Sequence, residues 1–356
     1  MNDSKNEDRD RLRQEDVLSA YRLKKRAIRL AMISAVIQML AKGVAGFATG
    51  SLAVLTTAAD SLSDFLNAGI AWIAVSVGKR PPDVNHPFGH GKIEPLGALL
   101  QAFVILPLAI GLGWQGITRL LTGAQIVSLG VNIAVIVFSI ALGWWTGRKL
   151  SFTATQTDSL AVQGSGLSFS IDAVTHSGVL LALIIVEFTG WVAADAYASL
   201  GMACYVAFQT IRLAVKAIAD LLDLQISRKY RERIIMELDE HKNDFIDYHR
   251  LRTRRAGPEK HIDFHLRVCR YRTVEECHRL IDHLENALEA IIPQSSVIIH
   301  MDPCESGRTC VGEEICELAE DRARVIPESD WPSHPTGAEA REKEREQHPY
   351  PDFYET

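Results

Sequence analysis

Apolar side chains dominate residues 27–217, whereas residues 1–26 and 218–356 are mainly polar or charged. A helix that crosses a bilayer needs about 20 predominantly apolar residues. Segments of that length follow one another along the apolar region at 27–50, 52–77, 93–120, 126–147, 162–188 and 191–217. The pattern therefore predicts an α-helical membrane protein with six transmembrane helices in residues 27–217, preceded by a charged cytoplasmic N-terminal segment, 1–26.

The positive residues predict how these helices are oriented, because loops rich in Lys and Arg stay in the cytoplasm. Such residues lie on one side of the predicted bundle: Lys24, Lys25, Lys79, Arg80, Lys92, Arg148, Lys149, Arg212 and Lys216. The links on the opposite side offer only Arg119. We therefore expect a multi-pass protein with both termini in the cytoplasm. The expected location is a bacterial inner membrane, with the membrane of an organelle as the alternative.

Residues 218–304 show alternating helix and strand periods instead of long apolar runs. The segment 261–268 alternates, with Ile262, Phe264 and Leu266 on one face, and 296–302 is a second predicted strand. Helical spacing recurs at 230–241 and again at 273–291, where the apolar stripe consists of Val274, Cys277, Ile281, Leu284 and Leu288. These elements predict a small C-terminal cytoplasmic α+β domain.

Composition narrows the class of protein further. Residues 305–356 are rich in Glu, Arg, Pro and His, which predicts a disordered tail. The six cysteines form no framework of a secreted domain and indicate reduced thiols in a cytosolic compartment. The apolar helices contain no HExxH motif or nucleophile–base pair, so an intramembrane metallohydrolase is the weakest interpretation. We expect no organic cofactor and no nucleic-acid partner.

Two aspartates inside the second apolar segment are the first candidates for chemistry. Asp60 and Asp64 are four residues apart and so share one helical face. Ionisable residues within a membrane helix usually face a cavity and mark an ion pathway. A divalent cation between the two carboxylates would relieve their repulsion, and the alternative is that neighbouring helices hold both by hydrogen bonds.

The fifth apolar segment supplies a counterpart to this pair. Asp172 lies near its middle, with Ser168 one turn before it and His176 one turn after. Zinc and similar ions take three or four N or O ligands. The three aspartates offer three oxygens, which leaves a fourth position for Ser168, His176 or water. For His176 we favour the interpretation that its side chain is only hydrogen-bonded and lines the outward vestibule.

Three separated stretches carry a resemblance to a known family. SLAVLTTAADSLSDFLNAG, NHPFGHGKIEPLGAL and RTRRAGPEKHIDFHL, the last followed by VIIHMDPC, together resemble the cation diffusion facilitators over roughly residues 15–304. The resemblance implies a homodimeric, proton-coupled exporter of divalent transition metals. It also implies that the cytoplasmic domain is ferredoxin-like, of the metallochaperone type. Divalent metal ions would be its substrate and an allosteric activator.

The resemblance also assigns roles to particular residues. Asp60, Asp64 and Asp172 match a transport site whose fourth position falls on Ser168, a poor ligand for zinc. In the loop after helix two it implies a metal site at Asp83, His86 and His90, although the histidines could instead cap the next helix. Lys92 and Asp223 match an interhelical charge pair at the dimer interface. Four residues of the cytoplasmic domain match metal ligands: His265, His278, His300 and Asp302.

Two functions of different classes remain open at this point. The first is alternating-access export of Zn, Fe(II), Mn or a similar ion in exchange for protons, with the oxygen-rich site favouring Mn or Fe(II). The second is a regulatory or assembly subunit that binds metal and stabilises a related partner, because Ser168 weakens the transport site. The sequence does not choose between metals.

Overall fold

The computed structural model describes residues 2–49, 52–122, 132–191 and 193–304 of the chain. Long helices come first: α1 (Asn2–Thr49), α2 (Leu52–Gly78), α3 (Ile93–Thr122), α4 (Asn132–Thr157), α5 (Leu160–Thr189) and α6 (Ala193–Leu221). Within the described ranges all six are long and apolar enough to cross a membrane, which confirms the six predicted transmembrane helices. The predicted tail, 305–356, lies outside the described residues, as do residues 126–131 of the predicted fourth helix.

Two of these helices are longer than their apolar cores. α4 continues to Thr157, whereas the end of the apolar run had predicted an end at residue 147. Hydropathy marks where a helix leaves the bilayer, but the backbone stays helical until a local signal stops it. That signal is Asp158, which has a positive φ, followed by Ser159, whose side chain caps α5 by accepting a hydrogen bond from the Val162 amide. α1 likewise extends towards the N-terminus through charged residues.

Small residues let the membrane helices pack closely. α1 lies along α2, α3 along α6, and α4 along α5. A Cβ on Gly97 of α3 would come within 2.5 Å of the Ala74 Cβ on α2, and one on Gly147 of α4 within 2.7 Å of the Ser170 hydroxyl on α5. Close backbone approach of this kind supplies the van der Waals contact that holds helices together in lipid, where the hydrophobic effect between helices is absent.

The C-terminal domain is a three-stranded sheet with two helices on one face. Its elements are α7 (Arg228–Glu240), β1 (Asp247–Ala256), β2 (Glu259–Val268), α8 (Val274–Ile291) and β3 (Ser295–Pro303). β1 and β2 form an antiparallel hairpin, and β3 returns beside β2 in parallel after the α8 crossover. The predicted inward face of β2, Ile262, Phe264 and Leu266, is buried together with residues of α7 and α8, so the α+β prediction is confirmed.

Two details of this domain differ from the prediction. Val274 is 87 % exposed and lies outside the buried stripe of α8. It is the first residue of the helix, next to the Thr273–Glu276 capping box, and therefore lies beyond the sheet. β1 was not predicted because DYHRLRTRRA contains few apolar residues. As an edge strand it needs only backbone pairing with β2 on one side.

The two domains meet at the turn between α4 and α5. Asp158 in this turn forms an ion pair with Lys260 of β2 at 3.1 Å and accepts a hydrogen bond from the Tyr230 hydroxyl at 3.2 Å. Desolvation lowers the pKa of Lys260, and the charge of Asp158 opposes that effect. Gly257 has φ +66° and no room for a Cβ against the Gly91 carbonyl, which permits close backbone contact at the same junction.

Candidate metal centres

The structure brings Ser168 of α5 directly against Asp64 of α2. The Ser168 hydroxyl donates a hydrogen bond of 2.6 Å to Asp64 Oδ1 and accepts one of 3.2 Å from Asn67 Nδ2. All three side chains are buried. Ser168 therefore positions the Asp64 carboxylate, because its hydroxyl proton is directed at Asp64 Oδ1 and its oxygen accepts the Asn67 amide. Asn67, one turn after Asp64, was not predicted as a site residue, although an amide side chain inside an apolar helix indicates a candidate.

Asp64 and Asp172 interact directly across the interface of α2 and α5. Both carboxylates are buried, and neither Asp64 Oδ2 nor Asp172 Oδ2 receives a hydrogen bond from any residue that the structure describes. A buried acceptor without a donor is unfavourable by about 1–3 kcal/mol, and by more when it is charged. The two oxygens thus form a pocket of acceptors without donors, which a cation or protons would stabilise.

Asp60 lies near these two residues without completing a compact ligand set. It interacts electrostatically with Asp172, but the three aspartates are not among the groups of described residues whose ligand atoms all fall within 4.8 Å. His176 contacts the backbone carbonyl of Asp172 at 2.6 Å through Nδ1. Its ring is therefore held against its own helix, which favours the hydrogen-bonded interpretation of this histidine.

A buried lysine of α1 completes the electrostatics of the pocket and was missed in the sequence. Lys42 is 1 % exposed, and its ammonium group donates a hydrogen bond of 3.0 Å to Ser61 Oγ. It interacts electrostatically with both Asp60 and Asp64. The sequence did contain a signal for this residue, namely a single lysine deep in an apolar helix. If ionised, the three aspartates and Lys42 together carry a charge of −2, which matches one divalent cation.

The predicted loop site is assembled as a cluster. Asp83, His86 and His90 place one ligand atom each within 4.8 Å of one another. Asp83 Oδ1 accepts the backbone amides of Asn85 and His86, at 3.0 and 2.7 Å, and lies 3.2 Å from His86 Nδ1. These bonds, with the His86 amide first, hold the pKa of Asp83 below its ordinary value. The carboxylate is thus ionised and available for a cation at neutral pH.

A second cluster lies on the polar face of the cytoplasmic sheet. His265 Nδ1 is 2.9 Å from Asp302 Oδ2, and His300 Nε2 is 3.3 Å from Asp302 Oδ1. His249 joins them, with Nε2 3.2 Å from Asp302 Oδ2. The hydrogen bond from His265 lowers the pKa of Asp302 most. His249 was missed because its strand, β1, was not predicted. The register of β1 and β2 places His249 opposite His265.

His278 stands apart from the other predicted ligands of this domain. It lies on α8, its side chain is 71 % exposed, and its Nε2 is 3.7 Å from Asp282 on the same helix. It therefore does not join the cluster of His249, His265 and Asp302 within one chain.

Lys92 and Asp223, the predicted charge pair, are in contact. Lys92 Nζ lies 3.0 Å from Asp223 Oδ1, and Arg254 Nη1 lies 3.4 Å from the same oxygen. Partial burial alone would raise the pKa of Asp223, but the hydrogen bonds and charges of Lys92 and Arg254 outweigh it and lower the pKa. The pair joins the start of α3 to the residues just after α6.

A buried ion pair that was missed in the sequence links α1 to the start of α3. Lys24 of α1 and Glu94 of α3 are 2.7 Å apart and almost wholly buried, at 5 % and 4 % exposure of their side chains. Glu94 also accepts a hydrogen bond from Ser159, the N-cap of α5. This arrangement ties α1, α3 and the start of α5 together.

Comparison with known proteins places the whole arrangement in a family. Residues 28–222 match the model of the cation efflux transmembrane domain, and residues 226–304 match that of the cytoplasmic domain of cation efflux proteins. The cation-efflux pumps FieF of Shigella boydii and Escherichia fergusonii are each 32 % identical over 283 residues, which is 80 % of this chain and 94 % of theirs.

A solved structure also matches part of the chain. It is titled "Mode of Action of a Putative Zinc Transporter CzrB (Zn form)" and is 40 % identical over 24 % of this chain and 96 % of its own, with a TM-score of 0.22. The two family models cover most of the chain, and the identity to the FieF pumps extends across both domains. The chain belongs to the cation efflux, or cation diffusion facilitator, family and is a multi-pass membrane transporter of cations, not an enzyme.

Proposed function

We propose that this transporter exports a divalent transition-metal ion from the cytoplasm in exchange for protons, by alternating access around Asp64 and Asp172. The observation that supports this most is the pair of buried carboxylate oxygens without donors, Asp64 Oδ2 and Asp172 Oδ2. Such oxygens bind either a metal ion or a proton, so one site serves both ions in turn. Asp60 supplies the third carboxylate when the helices move.

The charge of the pocket supports a divalent cargo. Three ionised carboxylates and a charged Lys42 together carry a charge of −2, which one divalent ion or two protons would neutralise. Exchange of one for the other keeps the pocket neutral in both directions. A neutral pocket avoids the large free-energy penalty that an unbalanced charge carries in the membrane interior.

The donor set favours a hard ion within the transition-metal class. The described pocket offers carboxylate oxygens, because the Ser168 hydroxyl is already bonded to Asp64 and His176 is turned to its own backbone. Carboxylate, carbonyl and water ligands suit Mn(II), Fe(II) accepts a carboxylate beside imidazole, and zinc suits sites with imidazole. We therefore place Mn(II) and Fe(II) before Zn(II) as cargo, and water completes the coordination.

The cytoplasmic clusters fit a regulatory role. Asp83, His86 and His90 in the loop, and His249, His265, His300 and Asp302 on the sheet, contain the imidazole and carboxylate ligands of transition-metal sites. We propose that metal at these clusters activates transport in a homodimer whose termini are cytoplasmic and whose location is the inner membrane. His278, exposed on α8, is then available to the partner subunit's cluster.

Transport into proteoliposomes tests the proposal. The purified protein is reconstituted with an internal metal-sensitive dye, and uptake of Mn(II), Fe(II), Zn(II), Co(II) and Cd(II) is measured with and without a proton gradient. We expect Asp64→Asn and Asp172→Asn to abolish gradient-dependent uptake of every ion. Asp195→Asn is the matched control, because Asp195 is a carboxylate of α6 that pairs with Arg119 and not with the pocket.

The same experiment separates the two candidate functions. Uptake that persists in both pocket variants would refute the assigned site. Metal binding by the wild-type protein without any uptake would favour the regulatory or assembly subunit instead.

A further inference from the structure

Two histidines outside all the clusters described above face each other between the helices of the cytoplasmic domain. His241 directly follows α7, and His283 lies in the middle of α8. Their Nε2 atoms are 2.9 Å apart and their ring centroids 4.9 Å apart. Both helices cover the same face of the sheet, so this pair is a direct polar link between them.

The tautomer of His241 follows from its second contact. Its Nδ1 lies 2.9 Å from the backbone carbonyl of Glu237, which can only accept a hydrogen bond. Nδ1 therefore carries the proton of the neutral ring, and the lone pair of Nε2 points at His283. Metal-binding histidines have this arrangement, in which the outer N–H is held by a carbonyl or carboxylate and the other nitrogen is free to coordinate.

The surroundings also favour a cation at this place. The last carbonyl groups of a helix carry the negative end of its dipole, and His241 is the C-terminal cap of α7. The Glu237 carboxylate lies 3.8 Å from His241 Nδ1. A positive ion bound to Nε2 is thus stabilised by the helix end and by a neighbouring negative charge.

We propose that His241 and His283 form a transition-metal site that clamps α7 to α8. The ion is of the class that prefers imidazole, namely Zn(II), Cu(II), Ni(II) or Co(II). His283 binds through Nε2 once its proton moves to Nδ1, so two neutral rings supply two nitrogen ligands without net proton release. Water fills the remaining positions, because His283 is exposed to solvent. The site is independent of the transport pocket.

Metal-dependent protection from diethyl pyrocarbonate tests this site residue by residue. The full-length protein in detergent is titrated with Zn(II), treated with the reagent, and digested, and the modification of each histidine is quantified by mass spectrometry. We expect His241 and His283 to be protected together, with one shared midpoint, and Mg(II) to protect neither. In His283→Gln the midpoint for His241 should rise at least about tenfold, the lower bound seen when even an outer partner of a metal ligand is lost.

His261→Gln is the matched control, because His261 lies on β2 with its ring against Phe88 and belongs to none of the clusters described above. It should leave the shared midpoint unchanged. Different midpoints for His241 and His283, protection of His241 that survives His283→Gln, or no protection by Zn(II) would each overturn the proposal and leave a simple hydrogen bond. None of these results depends on whether Asp64 and Asp172 carry the transported ion.

Discussion

Substitution of Ser168 is the sharpest test of how the intramembrane pocket works. Ser168→Ala removes the donor to Asp64 Oδ1 and the acceptor of Asn67 Nδ2 while leaving every carboxylate in place. Asp64 then loses the hydrogen bond that holds its carboxylate in place. We expect metal binding to weaken, because the carboxylate must be ordered when the ion arrives.

The size of the effect follows from the bond that is lost. A hydrogen bond to a charged group contributes about 1.5–3 kcal/mol, and every 1.4 kcal/mol is about tenfold in affinity. The apparent Kd should therefore rise about 10- to 150-fold. Isothermal titration of the detergent-solubilised protein with Mn(II) measures it, and the half-saturation constant for uptake into proteoliposomes should shift in the same direction.

Ser168→Thr is the matched control for this experiment, because it keeps the hydroxyl group. Its Kd for the metal should stay within a few-fold of the wild-type value, which is a difference of less than about 1 kcal/mol in binding free energy. An Ser168→Ala variant whose Kd stays within about twofold of the wild type would refute the positioning role. Equal losses in Ser168→Ala and Ser168→Thr would show that packing at this position matters and the hydroxyl does not.

Three further sets of substitutions test other charged groups. Lys42→Met should slow metal uptake at least about tenfold because the pocket loses its counter-ion, whereas Lys42→Arg should retain most activity. Lys24→Met should destabilise the protein by about 3–5 kcal/mol, because Glu94 stays buried without its partner. The double variant with Glu94→Gln should regain most of the stability, and thermal unfolding in detergent measures both variants. A double-mutant cycle of Lys92→Gln and Asp223→Asn should give a coupling of about 0.2–1 kcal/mol at pH 7. The folded protein lowers the pKa of Asp223, so the coupling should persist at pH values above the ordinary pKa of 3.8 and disappear as the pH falls below that value. A coupling energy that stays the same below pH 3.8 as at pH 7 would contradict the assignment.

Local patterns in the sequence were sufficient for much of the fold. Each membrane helix carries its own signal, because lipid requires about 20 apolar residues in a row whatever the neighbouring helices are. The buried face of β2 was readable for a similar reason, since alternation places Ile262, Phe264 and Leu266 on one side. The end of α4 was not readable in this way, because the hydrophobic run ends before the backbone leaves the helix at Asp158.

The sequence by itself determined the number of membrane helices, the α+β character of the second domain and the carboxylates of the candidate pocket. The tertiary structure alone decided which groups meet: Ser168 as a donor to Asp64, Lys42 as a buried counter-ion, and His249 beside His265. The physical reason is that hydropathy and periodicity can be read within one continuous segment of the chain. Hydrogen bonds and charges, in contrast, act between side chains more than a hundred residues apart in sequence, as Ser168 and Asp64 are, and only the packing of α2 against α5 brings those two together.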